Sequence, residues 1–150
     1  MTGINHAVTG AVVALVVKEP LLALPIALLS HFAIDCLPHW DYKIPKHLKR
    51  RHLIIAADLV LSILLTVALA MIAGDLAWLV LACSFLAILP DAMWLSYIIW
   101  GKPSPHDSNT PLHLLRRFHF KIQWSETAHG AVVEMLWFAL MSRVFLNLTG

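Results

Sequence analysis

Three side chains of the kinds that bind divalent metals recur every fourth residue in one apolar segment. They are His31, Asp35 and His39. On an α-helix, residues four apart lie on the same face, so these imidazole and carboxylate groups would form one narrow stripe. Nitrogen and oxygen ligands in this arrangement suit zinc or a cluster of divalent ions. We therefore predict a metal site here; the alternative is that His31 and Asp35 pair with each other without a metal.

Other ionisable side chains lie inside apolar stretches or at their ends. Placing such a group at membrane depth costs at least about 2–3 kcal/mol on insertion scales, so each one needs a partner or a function. Together with the stripe they give one set of predicted metal ligands: His6, His31, Asp35, His39, Asp41, Asp91 and His129. Taken singly, His6 and His129 have an alternative interpretation as hydrogen-bonded core residues.

Asp58 and Asp91 are the predicted catalytic residues. Asp58 would act as a base or by orienting a ligand, and an ion pair with Arg50 or Arg51 is the alternative. The roles of several further groups stay open at this point, with an exposed loop as the default for the three histidines: Glu126, Glu134, His106, His113 and His119.

The composition identifies the elements that must position these groups. Of the 150 residues, 59% are hydrophobic and only 13% are charged, and the mean hydropathy is +0.75. A soluble domain of this size cannot bury so much apolar surface. We therefore expect one integral membrane domain over residues 1–150.

Apolar runs occur at residues 4–17, 21–38, 53–73, 76–100 and 126–147. A spanning helix needs roughly 20 residues, which the last three runs reach. The fold class expected is an all-α polytopic membrane bundle of about five helices. The first two runs form either two thin spans or a re-entrant hairpin held by its neighbours.

Two prolines interrupt these runs beside predicted ligands. Pro38 lacks an amide proton and disfavours helix at the residue before it, so the second helix should kink or end just before His39. Leu89-Pro90-Asp91 repeats this phrase near the end of the fourth run, which predicts a broken helix at Asp91 as well.

The distribution of basic residues predicts the orientation in the membrane. Nine of the eleven Lys and Arg lie in two connections, five in residues 43–52 and four in residues 102–124. The positive-inside rule places both connections in the cytoplasm, with the N-terminus inside and the C-terminus outside. The predicted ligands then meet at the inner leaflet. Within the second connection, Thr110-Pro111 is a good helix start, and the residues after it form either a surface helix or a solvated loop.

Four short motifs are spread over most of the chain: Asn5-His6 opening a glycine-bearing apolar helix, His31-x3-Asp35-x2-Pro38-His39-x-Asp41, Leu89-Pro90-Asp91 and Thr127-Ala128-His129-Gly130. Their combination resembles small bacterial inner-membrane proteins described as membrane-bound metal-dependent hydrolases. The Pro-Asp-x-Asp-His and His-Arg-x-x-Thr-His strings typical of that family are both altered here. The His31-x3-Asp35 spacing is also similar to helical elements of zinc-dependent phospholipase C.

We therefore predict a hydrolase that acts on a phosphoester of a lipid or lipid-linked head group at the cytoplasmic face. Its cofactor would be a divalent metal, zinc or alternatively manganese, with one or more ions bound. The expected partners are membrane lipid and the phosphate substrate, because a cationic pocket at head-group depth meets phosphate groups. No nucleic acid is expected to bind, and the sequence does not indicate an oligomeric state.

Two other functions would use similar residues. A metal-ion or proton transporter would also need ionisable residues in the outer half of the bundle, and that half is nearly bare. A non-catalytic membrane protein would use its polar residues only to join helices.

Overall fold

A computed structural model describes residues 1–40, 51–125 and 127–150 of the chain. Three parts of the prediction lie outside the described residues: the ligand Asp41, the basic connection at residues 43–50 and Glu126. Within the described ranges the structure is helical and contains no β-strand, which confirms the all-α prediction. The helices are α1 Gly3–Val17, α2 Pro20–Asp35, α3 Arg51–Ile72, α4 Ala77–Ile88, α5 Met93–Trp100, α6 Pro111–Ile122 and α7 Gly130–Thr149.

Helix α1 lies at the centre of the bundle and packs against α2, α3, α4 and α7. Its small residues Ala7, Ala11 and Ala14 are fully buried. A Cβ atom added at Gly10 would lie 2.5 Å from the carbonyl oxygen of Cys83, so α1 and α4 cross in backbone contact. The hydroxyl of Ser84 donates to the carbonyl of Ala7 at 2.9 Å across the same crossing.

Helices α1 and α2 form an antiparallel hairpin with a very short connection. Lys18 adopts a left-handed conformation with φ 60°, and its amide donates to the carbonyl of Ala14 to end α1. The two helices contain 15 and 16 residues. At 1.5 Å per residue, α1 is about 22 Å long, which is shorter than the roughly 30 Å hydrocarbon core of a bilayer.

Three helical segments are long and apolar enough to cross a membrane: Leu53–Ile72, Gly74–Ala92 and Gly130–Thr149. This is consistent with an integral membrane protein. The shorter helices α1 and α2 add two spans if they also cross, so the number of spans is three to five. The prediction of about five spans is the upper end of this range. Leucine, isoleucine and methionine side chains on α3 and α7 are largely exposed, as lipid-facing residues would be.

The predicted run 76–100 is not one continuous α-helix. A 3-10 turn at Leu89–Ala92 divides the run, and Pro90 is the second residue of this turn. This confirms the broken-helix setting expected for Asp91. Helix α2 ends at Asp35, three residues before Pro38, so His39 lies beyond the helix and the predicted three-residue stripe contains only His31 and Asp35.

Of the two alternatives for the residues after Thr110-Pro111, the structure shows a helix, α6. The hydroxyl of Thr110 accepts from the amide of His113 at 3.5 Å, as expected of an N-cap residue. The apolar residues Leu112, Leu115 and Phe118 are exposed, whereas Arg116 and His119 are buried. The polar face of α6 is therefore directed towards the bundle.

Candidate metal centre

Four predicted ligands meet at one end of the bundle. They are His6 of α1, His31 and Asp35 of α2, and Asp91 of the 3-10 turn, and each offers a ligand atom within 4.8 Å of the others. His6, His31 and Asp35 are fully buried, and the side chain of Asp91 is 27% exposed. Among the described residues, this group could hold a metal ion.

The helix ends explain why these four residues meet. Helix α1 begins and helix α2 ends at this end of the bundle, and the chain returns to it through α4. Because Pro90 breaks the α-helical pattern, Asp91 leaves the end of α4 in a 3-10 turn and lies beside the other three. Residues from three separate segments therefore share one depth.

The carboxylate oxygens of Asp35 face two different histidines. Asp35 Oδ1 lies 3.2 Å from His6 Nε2, and Asp35 Oδ2 lies 3.2 Å from His31 Nε2. Asp91 repeats the arrangement at longer range, with 4.0 Å from Oδ2 to His6 Nε2 and 3.9 Å from Oδ1 to His31 Nε2. The two imidazole rings are stacked, with centroids 4.0 Å apart.

The tautomer of His31 suits metal binding. Its Nδ1 lies 2.8 Å from the carbonyl oxygen of Ala87, which can only accept a hydrogen bond. Nδ1 therefore donates to that carbonyl, which leaves Nε2, the nitrogen that faces the carboxylates, as the atom that would bind a metal. A backbone acceptor behind a histidine fixes the orientation of metal-bound imidazoles in the same way.

His6 is a buried polar side chain without a hydrogen-bond partner in the described residues. Its Nε2 is close to Asp35 Oδ1, but the geometry is not that of a hydrogen bond. An unsatisfied buried polar group costs roughly 1–3 kcal/mol, so a ligand at this position would remove a real penalty. The lack of a hydrogen bond at His6 Nε2 and the orientation of His31 fit a metal bound between these residues.

Asp35 is held by groups around the cluster. The Gln123 side chain donates from Nε2 to Asp35 Oδ2 at 3.0 Å, and the Met1 amino group donates to Asp35 Oδ1 at short range. Ser125 Oγ lies 3.0 Å from the carbonyl oxygen of Asp35. These contacts fix both the carboxylate and the end of α2.

The structure does not bring His39 into the group. Its Nε2 contacts Gln123 Oε1 at 2.9 Å, and its Nδ1 lies 2.8 Å from the carbonyl oxygen of Leu37. Because Gln123 in turn donates to Asp35, His39 acts on the cluster through one intervening side chain. This is the position of a group that orients a ligand.

Two other predicted residues also lie apart from the four. Asp58 accepts from the amide of Gly3 at 2.8 Å through Oδ2, so it holds the first turn of α1, which carries His6. His129 is exposed at the start of α7. Glu134, whose role the sequence left open, forms hydrogen bonds to the start of α1 and to the segment after α2.

The sequence left the role of His119 open, with an exposed loop as the default, and the structure places this residue beside the group. It is fully buried, and its Nε2 lies 3.4 Å from His31 Nε2. Burial lowers the pKa of the His119 imidazole to about 4, so the ring is neutral near pH 7. The available signal was helical spacing: Arg116, His119 and Gln123 recur at intervals of three and four residues, on one face of α6 and its C-cap.

Comparison of the chain with protein-family models, with curated proteins and with solved structures gives no match. The resemblance to membrane-bound metal-dependent hydrolases therefore rests on the short motifs alone and stays a prediction.

Proposed function

We propose that this chain is a membrane-embedded, metal-dependent hydrolase acting on a phosphoester of a lipid or lipid-linked head group at the cytoplasmic face. The observation that carries the proposal is the buried group of His6, His31, Asp35 and Asp91 at one end of an apolar helical bundle. Ionisable groups are expensive at this depth, and a structural role would not require four of them with their ligand atoms facing one another.

The surroundings of the group support a phosphate-bearing substrate. Asp91 is the member of the group with an exposed edge, so substrate would approach from its side. Lys102 and Lys121 are exposed in the segment that runs from α5 through α6, and Lys121 is two residues from His119. Basic residues near a membrane surface attract anionic lipid by about 1 kcal/mol each.

Each residue has a distinct proposed role. His6, His31 and Asp35 would hold the metal, and Asp91 would bind it at the exposed edge of the site. Asp58 would position His6 by holding the first turn of α1. A bound divalent ion supplies the chemistry for hydrolysis, because it brings the pKa of a water ligand close to neutrality and offsets charge developing on phosphoryl oxygens.

The test compares two isosteric changes in detergent-purified protein loaded with Zn²⁺ or Mn²⁺. Asp91→Asn removes one negative charge from the site, and Asp75→Asn makes the same change at an exposed turn at the other end of the bundle. We expect release of product from a panel of phospholipids, isoprenoid phosphates and phosphodiesters, abolished by chelator. Asp91→Asn should lower turnover at least about 100-fold, the scale of losing an electrostatic group from an active site, and Asp75→Asn should not.

Two outcomes would contradict the proposal. If the metal-loaded protein releases nothing from the panel while sealed vesicles containing it accumulate metal, the function is transport. If the purified protein binds no metal, the polar residues only join helices.

A further inference from the structure

Each carboxylate of the metal centre presents its two oxygens to two different imidazoles. Asp35 does so at 3.2 Å on both sides, and Asp91 at 4.0 and 3.9 Å. A single ion needs only one oxygen from each carboxylate. A carboxylate whose two oxygens face separate nitrogen ligands has the geometry of a bridge between two ions.

The stacked imidazoles point to the same arrangement. The rings of His6 and His31 are nearly parallel, with an interplanar angle of 18° and centroids 4.0 Å apart. Ions in two-metal sites are about 3.5–4 Å apart, which matches the ring separation. Each ring can therefore serve its own ion.

His119 presents a ring nitrogen to His31. Tyr97 Oη donates to the carbonyl of Arg116 at 3.0 Å, so its single proton is used there, and its oxygen accepts from His119 Nδ1 at 3.0 Å. His119 Nε2 is then the ring nitrogen available as a ligand, and it lies 3.4 Å from His31 Nε2. Two nitrogens this close need a proton or a cation between them, and a metal ion bound by both would meet that need.

We propose that the centre binds two divalent ions bridged by Asp35 and Asp91, one also held by His6 and the other by His31 and His119. The proposal rests on the metal centre of the proposed function but does not require hydrolysis. At metal–ligand distances of about 2.0–2.1 Å, neighbouring atoms of a tetrahedral zinc site are roughly 3.3 Å apart, close to the His31–Asp35 and His31–His119 separations. The ion held by His6 would take the place of the Met1 amino group at Asp35 Oδ1.

Helix α6 is anchored firmly enough to deliver a ligand. The guanidinium of Arg116, which is 1% exposed, donates to Ser96 Oγ at 3.0 Å and to the carbonyl of Gly101 at 2.7 Å. These bonds fix α6 against α5 and the residue after it. His119, one turn further along α6, is thereby held beside His31.

The experiment is metal stoichiometry on the full chain in detergent, measured by elemental analysis after equilibration with Zn²⁺ and removal of free metal. We expect two ions per chain in the parent and about one in His119→Ala. His106→Ala is the matched control, because it removes an exposed histidine and should leave two ions. With Mn²⁺, the parent should give the electron paramagnetic resonance spectrum of a spin-coupled pair and His119→Ala that of an isolated ion.

A milder variant keeps the test informative if His119→Ala does not fold. Tyr97→Phe removes only the hydroxyl that holds His119, and loss of such an orienting group weakens metal binding by roughly 10–100-fold. Competition with a fluorescent chelator should show that the affinity for one of the two ions falls by this factor while the other stays within about 3-fold.

One ion per chain in the parent, or two ions in folded His119→Ala, would overturn the two-ion centre. Neither result depends on catalysis. A protein with two ions and no phosphoesterase activity would contradict the proposed hydrolase alone.

Discussion

At the scale of single residues, the carboxylate of Glu134 accepts four hydrogen bonds from two distant parts of the chain. Oε2 accepts from the amide and hydroxyl of Thr2 and from the side chain of Asn5, at 3.2, 2.7 and 3.1 Å. Oε1 accepts from the amide of Trp40 at 2.8 Å. One side chain of α7 therefore joins the start of α1 to the segment after α2.

Glu134→Gln should destabilise the protein although the side chain keeps its shape. The amide group has one acceptor oxygen, and its NH2 would face a donor that Glu134 now satisfies. Leaving a buried donor unsatisfied costs roughly 1–3 kcal/mol, and we expect this loss in the free energy of unfolding, measured by SDS titration with tryptophan fluorescence.

Glu19→Gln is the matched control, because Glu19 is exposed before α2 and its side chain makes no capping hydrogen bond. Equal stability of the two variants would show that the second carboxylate oxygen of Glu134 and its charge contribute nothing to stability.

The four candidate ligands that meet in the structure were easier to find in the sequence than the groups around them. His6, His31, Asp35 and Asp91 stand out because each is an isolated ionisable residue in or beside an apolar run, where the cost of burial demands an explanation. His119 occurs among Arg and Lys in a connection, where a histidine is ordinarily solvated. Only the packing of α6 against α2 and α5 distinguishes it from such a residue.

At the scale of elements, the amphipathic helix α6 shows why a buried His119 was not expected from the sequence. In a soluble protein the apolar face of a helix is directed inwards, and polar residues are expected to contact water. Here the exposed face carries Leu112, Leu115 and Phe118, and the buried face carries Arg116 and His119. This inversion fits a helix at a lipid surface, where the apolar face meets the bilayer and the polar face meets protein.

The breaks between helices were more predictable, because proline acts locally. Pro90 produces the 3-10 turn that presents Asp91, as the sequence predicted. Helix α2 ends at Asp35, three residues before Pro38. The Ser125 hydroxyl donates to the carbonyls of Asp35 and Leu37 and stabilises the chain after the helix. Contacts of that kind, between residues about 90 positions apart, are not visible in local sequence.

The crossing of α1 and α4 positions His6 against Asp91 and gives a test at this scale. Gly10→Ala raises helix propensity by up to about 1 kcal/mol, which alone would stabilise α1. The added Cβ would lie 2.5 Å from the Cys83 carbonyl oxygen and 2.7 Å from Ser84 Cα, and backbone atoms cannot rotate away. We expect the clash to dominate, with a net loss of about 1–3 kcal/mol of stability and weaker metal binding.

Unfolding and metal titration of Gly10→Ala should be compared with Ala33→Leu, which enlarges an exposed residue of α2. If Gly10→Ala is as stable as the parent and binds metal equally well, close approach of α1 and α4 does not determine the geometry of the site.

At the scale of the whole molecule, the polar chemistry is gathered at one end. Helices α1, α3 and α7 begin there, and α2 and α4 end there. The opposite end carries the turn at Gly74–Leu76 and the last residue of α7, with Asp75 exposed. Composition predicted the apolar bundle, and the alternation of runs predicted this gathering. The number of spans could not be predicted because the α1–α2 hairpin is shorter than a bilayer core.

The orientation of this polarised bundle is the last prediction. The positive-inside rule predicts that the candidate metal centre faces the cytoplasm, since nine of the eleven Lys and Arg lie in the two connections predicted to be cytoplasmic. In a background of Cys36→Ser and Cys83→Ala, a membrane-impermeant thiol reagent applied to sealed cells should label Asp75→Cys. It should not label Ser108→Cys, an exposed residue before α6, or Lys46→Cys until the membrane is permeabilised. Labelling of Ser108→Cys and Lys46→Cys in sealed cells, with Asp75→Cys protected, would reverse the topology and move the proposed substrate to the outer leaflet. The geometry of the candidate metal centre would be unchanged by that result, because it depends only on contacts within the bundle.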